Sequence, residues 1–62
     1  MVQTSKSEKD RISKSQDIAL DEGGLDYVID VAPTPDFVEV VGRKGGDVVT
    51  YRVMNDGQFY ER

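Results

Sequence analysis

The stretch Phe37–Arg62, FVEVVGRKGGDVVTYRVMNDGQFYER, decides the fold of this chain. Apolar and polar residues alternate through it, and glycine-bearing dipeptides interrupt it twice, at Gly45-Gly46 and at Asp56-Gly57. A fold at Gly45-Gly46 sets Val38 opposite Val53, Val40 opposite Tyr51 and Gly42 opposite Val49 on one face. The other face then receives Glu39 against Arg52 and Phe37 against Met54. A second fold at Asp56-Gly57 brings Arg52 to Glu61, Val53 to Tyr60 and Met54 to Phe59. One strand phase satisfies both hairpins, which predicts a β-meander.

Upstream, Leu25–Ala32 (LDYVIDVA) alternates as a half-buried strand, with Leu25, Tyr27, Ile29 and Val31 on one side. The link Pro33-Thr34-Pro35-Asp36 stops pairing and stiffens the connection. As a hairpin with the next strand, this one would set Ile29 against Val40 and Val31 against Val38. That register also places Asp30 beside Glu39, an unfavourable pair, so a position beside the last strand is the alternative. Residues 1–24 are polar, a flexible arm with two capping-box patterns, Ser5 with Glu8 and Ser13 with Gln16. The second precedes Ile18-Ala19-Leu20 and predicts a short helix over 14–22 ending at Gly23 as the residue after the cap. Residues 1–12 read as disordered.

The expected fold is therefore α+β: a small antiparallel meander of three to four strands (25–32, 37–43, 47–54 and 58–62) with the 14–22 helix over one face. The expected core face holds Leu25, Tyr27, Ile29, Val31, Val38, Val40, Val49, Tyr51, Val53 and Tyr60. The 25–62 sheet is the folded domain.

Composition bounds the chemistry. The 62-residue chain has no Cys and no His, which removes thiolate chemistry, the usual general base and the commonest metal ligand. A net charge of −4, concentrated in residues 25–62, argues against phosphate-backbone binding. No apolar run approaches membrane-spanning length and no signal-peptide core is evident, so a cytoplasmic location is the expectation.

Each constellation that suggests chemistry has an ordinary structural explanation. Arg43-Lys44-Gly45-Gly46 resembles an anion-binding nest but lacks the phosphate-loop spacing, and a glycine turn explains it. Asp17, Asp21, Glu22, Asp26 and Asp30 do not follow an EF-hand loop, and solvated surface charge explains them. Glu39 and Glu61 flanking Arg52 suggest an acid–base pair, yet a flat sheet offers no cleft and a cross-strand charge ladder suffices. Tyr27, Tyr51, Phe59 and Tyr60 suggest a base-stacking platform, for which the surroundings are too acidic. No catalytic residue, metal ligand or cofactor is expected, and the chain does not read as an enzyme.

One cluster on the second face stands out as a candidate interaction patch: Phe37, Met54 and Phe59. It points to a small protein–protein interaction module, accessory or regulatory, whose partner includes a second copy of the chain. The alternative is an acidic nucleic-acid mimic of the kind phages and mobile elements use as inhibitors. Its charges would be Asp26, Asp30, Asp36, Glu39, Asp47, Asp56 and Glu61. Direct nucleic-acid binding through Lys6, Lys9, Arg11 and Lys14 is disfavoured, because Glu8 and Asp10 dilute those cations.

Overall fold

A computed structural model describes residues 2–62, with side chains from Glu8 onward. The chain forms one helix, α1 (Val2–Asp21), and four strands: β1 (Tyr27–Pro33), β2 (Phe37–Lys44), β3 (Asp47–Met54) and β4 (Phe59–Glu61). The strands pair in sequence order as one antiparallel sheet, and α1 packs on β1, β2 and β3. First strand and second are thus neighbours, and the alternative beside the last strand is excluded.

The central hairpin keeps the expected register throughout, from Phe37 opposite Met54 to Lys44 opposite Asp47. Gly45 and Gly46 have φ of 58° and 94°, so both central residues of a two-residue loop sit where a side chain would be strained. Val38, Val40, Tyr51 and Val53 are buried on the α1 side and, with Ala19 and Leu25, make the core.

Both outer hairpins differ from expectation, each for a reason located in its turn. Between β3 and β4 the loop has three residues, not two. Met54 N–H donates to Gln58 C=O at 2.7 Å, and Gly57 N–H donates to Met54 C=O at 3.0 Å. Gly57, at φ 96°, takes the positive-φ position of such a loop. The extra residue shifts β4 by one, so Val53 opposes Phe59, Arg52 opposes Tyr60 and Tyr51 opposes Glu61. With a side-chain period of two, that shift moves every β4 side chain to the opposite face.

Between β1 and β2 the hairpin closes tightly at Thr34 and Phe37. Thr34 N–H donates to Phe37 C=O at 2.7 Å, and Phe37 N–H returns a bond to Thr34 Oγ1 at 3.0 Å. Only Pro35 and Asp36 lie outside this closure. Val31 therefore opposes Val40 and Ala32 opposes Glu39, which removes the expected Asp30–Glu39 conflict. The register shifts between Val28 and Asp30, a β-bulge at Ile29. The bulge turns both Val28 and Val31 toward the core and leaves Tyr27 and Ile29 exposed, against the expectation that they line it. Tyr60 is exposed as well.

The helix starts upstream of the expected 14–22. The expected arm falls, for residues 1–7, outside the described side chains; Glu8–Ile12 are helical. No glycine or proline interrupts residues 2–22, so nothing breaks the helix before its end. Ser13, expected as a cap, lies on its exposed surface, and the side chain of Ser5 is outside the described set. Its inner face repeats at three- and four-residue steps through Ile12, Ser15, Ile18 and Ala19. Ser15 and Ala19 are buried, and residues this small let the backbone approach the sheet closely. At the C-terminal end the positive-φ residue is Gly24 (φ 77°), not Gly23. Gly23 is required for space instead: a Cβ there would lie 2.6 Å from Ala19 O and 2.8 Å from the Tyr51 ring.

Arg11 ties the helix to the β1–β2 turn, donating to Thr34 O at 2.6 Å while pairing with Glu8 at 3.1 Å. Arg11→Ala is expected to destabilise the fold by about 1 kcal/mol, measured by urea unfolding, because it removes a partly solvated charge-assisted bond. No helix among the described residues is long and apolar enough to cross a membrane.

Candidate interaction face

The helix covers one face of the sheet, and the opposite face is open. Strand alternation assigns that open face its residues. Alternate positions Phe37, Glu39, Val41 and Arg43 of β2 point away from the buried Val38, Val40 and Gly42. From β3 come Val48, Thr50, Arg52 and Met54, and from β1 come Tyr27, Asp30 and Ala32. Tyr60 arrives from β4, and Arg62 follows because its N–H donates to Thr50 C=O at 2.8 Å.

Of the expected patch Phe37, Met54 and Phe59, the structure brings the first two together as cross-strand partners. Phe59 lies on the other side, packed against the core with its ring 5.5 Å from that of Tyr51 in an edge-to-face arrangement. Tyr60 takes the vacated place. A shallow basin runs from Phe37 over Met54 to Tyr60, rimmed by Asp36, Asp56 and Gln58.

The charge row inverts in the same way. The expected guanidinium between two carboxylates is instead a carboxylate between two guanidiniums. Glu39 Oε2 accepts from Arg52 Nε at 3.1 Å and from Arg62 Nη1 at 3.0 Å. Glu61, facing the helix side, is out of the row. The Arg52 guanidinium lies 4.6 Å from the centre of the Phe37 ring, a cation–π contact. Hydrogen bonds with Tyr60 and then Glu39 raise its pKa above the ordinary arginine value, so it stays charged.

The remaining sequence candidates are occupied by the fold itself. The Gly45 amide of the suspected nest donates to Asp26 Oδ2 at 3.1 Å, so an internal carboxylate sits where an external anion would. Lys44 Nζ reaches Tyr51 Oη at 3.2 Å, and that hydroxyl donates to Gly23 O at 2.7 Å. The chain of bonds locks the sheet to the end of α1. The hydrogen bond to Tyr51 raises the Lys44 pKa above 10.5. Its stabilising pull is therefore fully present below that ordinary value and is lost only as pH climbs through the raised one. Among the described residues, no three acidic side chains come together as a cation site. Tyr51 and Phe59 are core packing, while Tyr27 and Tyr60 lie far apart on the open face, at opposite edges. A small cleft of about 120 Å³ opens between Arg11, Lys14 and Ser15 of α1 and the Asn55–Gly57 loop, too small for most ligands.

The sheet edges are poorly suited to strand addition. β1 carries the bulge and ends in Pro33, and β4 is three residues long. The open face is the larger and better-formed surface. Comparison with family models, with curated proteins and with solved structures returns no match.

Proposed function

We propose that this protein is a small non-enzymatic protein–protein interaction module, accessory or regulatory in role, acting in the cytoplasm. The observation that supports this reading is the open sheet face, where Phe37, Met54 and Tyr60 surround an ordered Glu39–Arg52–Arg62 network. Aromatic side chains and Arg are the residues that most often anchor protein interfaces. Here Glu39 holds both guanidiniums in place, which lowers the entropy lost when a partner docks. The chemistry of the face suits recognition: its central charged groups, Glu39, Arg52 and Arg62, are paired with one another.

The nucleic-acid mimic has less support. Glu39 is bracketed by two cations and Asp26 is bound by the Gly45 amide, so two of its carboxylates are internally engaged.

A photo-crosslinking amino acid placed at Tyr60 tests the module reading, with one at Asp17, on the solvent side of α1, as the comparison. A discrete protein adduct from position 60 and none from position 17 is the expected result. No adduct from position 60, or one from position 17 alone, contradicts it.

A further inference from the structure

The open face is complementary to itself, and we propose that its partner is a second copy of the chain, docked face to face; this rests on the interaction-module reading above. The register of the sheet sets the geometry. Consider a two-fold axis parallel to the strands, midway between two facing sheets and running between β2 and β3. It lays β1 over the partner's β4 and β2 over the partner's β3, while residues in one cross-strand row stay in that row.

Three of the four outward rows then meet a complement; in the fourth, Arg43 faces the partner's exposed Val48. In the row of Ala32, Glu39, Arg52 and Tyr60, Glu39 faces the partner's Arg52 and small Ala32 faces the partner's large Tyr60. In the next row Asp30 faces the partner's Arg62, and Val41 faces the partner's Thr50. At the end of the sheet Phe37 faces the partner's Met54. Opposite charges meet twice, like charges nowhere in these rows, and each pairing occurs again by symmetry. An axis across the strands would instead reverse the rows and set Glu39 over the partner's Val41.

Charge argues for a second copy over other partners. The face holds three guanidiniums (Arg43, Arg52, Arg62) and two carboxylates (Asp30, Glu39), with Asp36 and Asp56 at its rim, close to balance on a chain of net charge −4. A polyanion needs a clear positive excess, and a cationic partner needs a negative one. The apolar pairs drive association, while the ion pairs set orientation. Aligned sheets pack about 30° off parallel, so the rows nearest the axis keep their pairings best. Strands of seven, eight, eight and three residues, each residue covering about 3.3 Å by 4.8 Å, give roughly 800 Å² over both copies. That lies at the weak, transient end of interfaces, so association only toward the millimolar end of the concentration range is expected.

Sedimentation equilibrium of the full chain, from micromolar to millimolar, tests this with two charge reversals. Glu39→Arg makes positions 39 and 52 both cationic, and Arg52→Glu makes both anionic. Each variant alone is expected to associate at least about a hundredfold more weakly than the native chain. An equal mixture is expected to recover association as a one-to-one heterodimer, because position 39 of one chain then meets its opposite in the other. Circular dichroism identifies any reversal that fails to fold, and Asp30→Arg with Arg62→Asp then supplies the same test. A monomeric native chain at millimolar concentration, or a mixture that stays monomeric, overturns self-docking. If that monomer still crosslinks a different protein from position 60, the module reading survives; with no such adduct, both fall.

Discussion

Replacing Gly42 by alanine is expected to lower the thermal midpoint by more than about 10 °C. Gly42 sits in β2, the strand flanked on both sides, opposite Val28 and Val49. A Cβ built there lies 2.5 Å from Tyr27 O and 2.6 Å from Leu25 Cδ1. Leu25 can rotate, but a carbonyl paired within the sheet cannot withdraw without disturbing the β1–β2 ladder. Overpacking of this kind costs about 1–3 kcal/mol, and more where backbone must move. For a domain this small each kcal/mol is worth about 4–8 °C. Gly45→Ala is the contrast: the space around Gly45 is open, and only its φ of 58° opposes a side chain, at about 1–2 kcal/mol. Thermal melts followed by circular dichroism compare the two. An unchanged midpoint for Gly42→Ala would mean that Leu25 is not seated over β2.

Tyr51→Ala is expected to leave little folded protein at 37 °C. The ring is buried between α1 and the sheet, 5.5 Å from Phe59, and its hydroxyl bridges Lys44 and Gly23. Truncating a buried aromatic costs about 3–5 kcal/mol, comparable with the whole stability of a chain this length, about 3–9 kcal/mol. Tyr51→Phe isolates the hydroxyl. It keeps the packing and leaves Gly23 O without its donor, for about 1–2 kcal/mol. Urea titrations of the two variants separate these contributions. Equal losses would assign the effect to the hydroxyl and contradict the packing argument.

The parts of this fold that were readable from residues are those where chemistry allows one solution. Two adjacent glycines flanked by Lys44 and Asp47 specify a two-residue loop, and the whole β2–β3 register follows. The Asn55-Asp56-Gly57 loop has no such uniqueness, because Asp-Gly ends a three-residue loop as readily as it makes a two-residue one. Phe59 and Tyr60 are both aromatic, so polarity could not choose which of them faces inward. That ambiguity placed Phe59 in the candidate patch and hid Tyr60 and Arg62.

The conflict between Asp30 and Glu39 signals a wrong register, which the tight closure at Thr34 and Phe37 corrects, and the bulge at Ile29 then returns Val28 to the core. Bulges leave no compositional mark in a run such as YVIDVAP. The upstream turns of α1 leave no periodic mark, because their Ser and Lys supply no apolar spacing. The available signal was the absence of any breaker before Gly23.

In this fold α1 covers one face of the sheet while β4 presents Tyr60, not Phe59, on the other. A two-dimensional NOE spectrum of the native chain tests this directly. Cross-peaks between the rings of Tyr51 and Phe59, and from Tyr60 to the Arg52 side chain, are predicted. Cross-peaks from Phe59 to Phe37 and Met54, with Tyr60 against Val53, would contradict it.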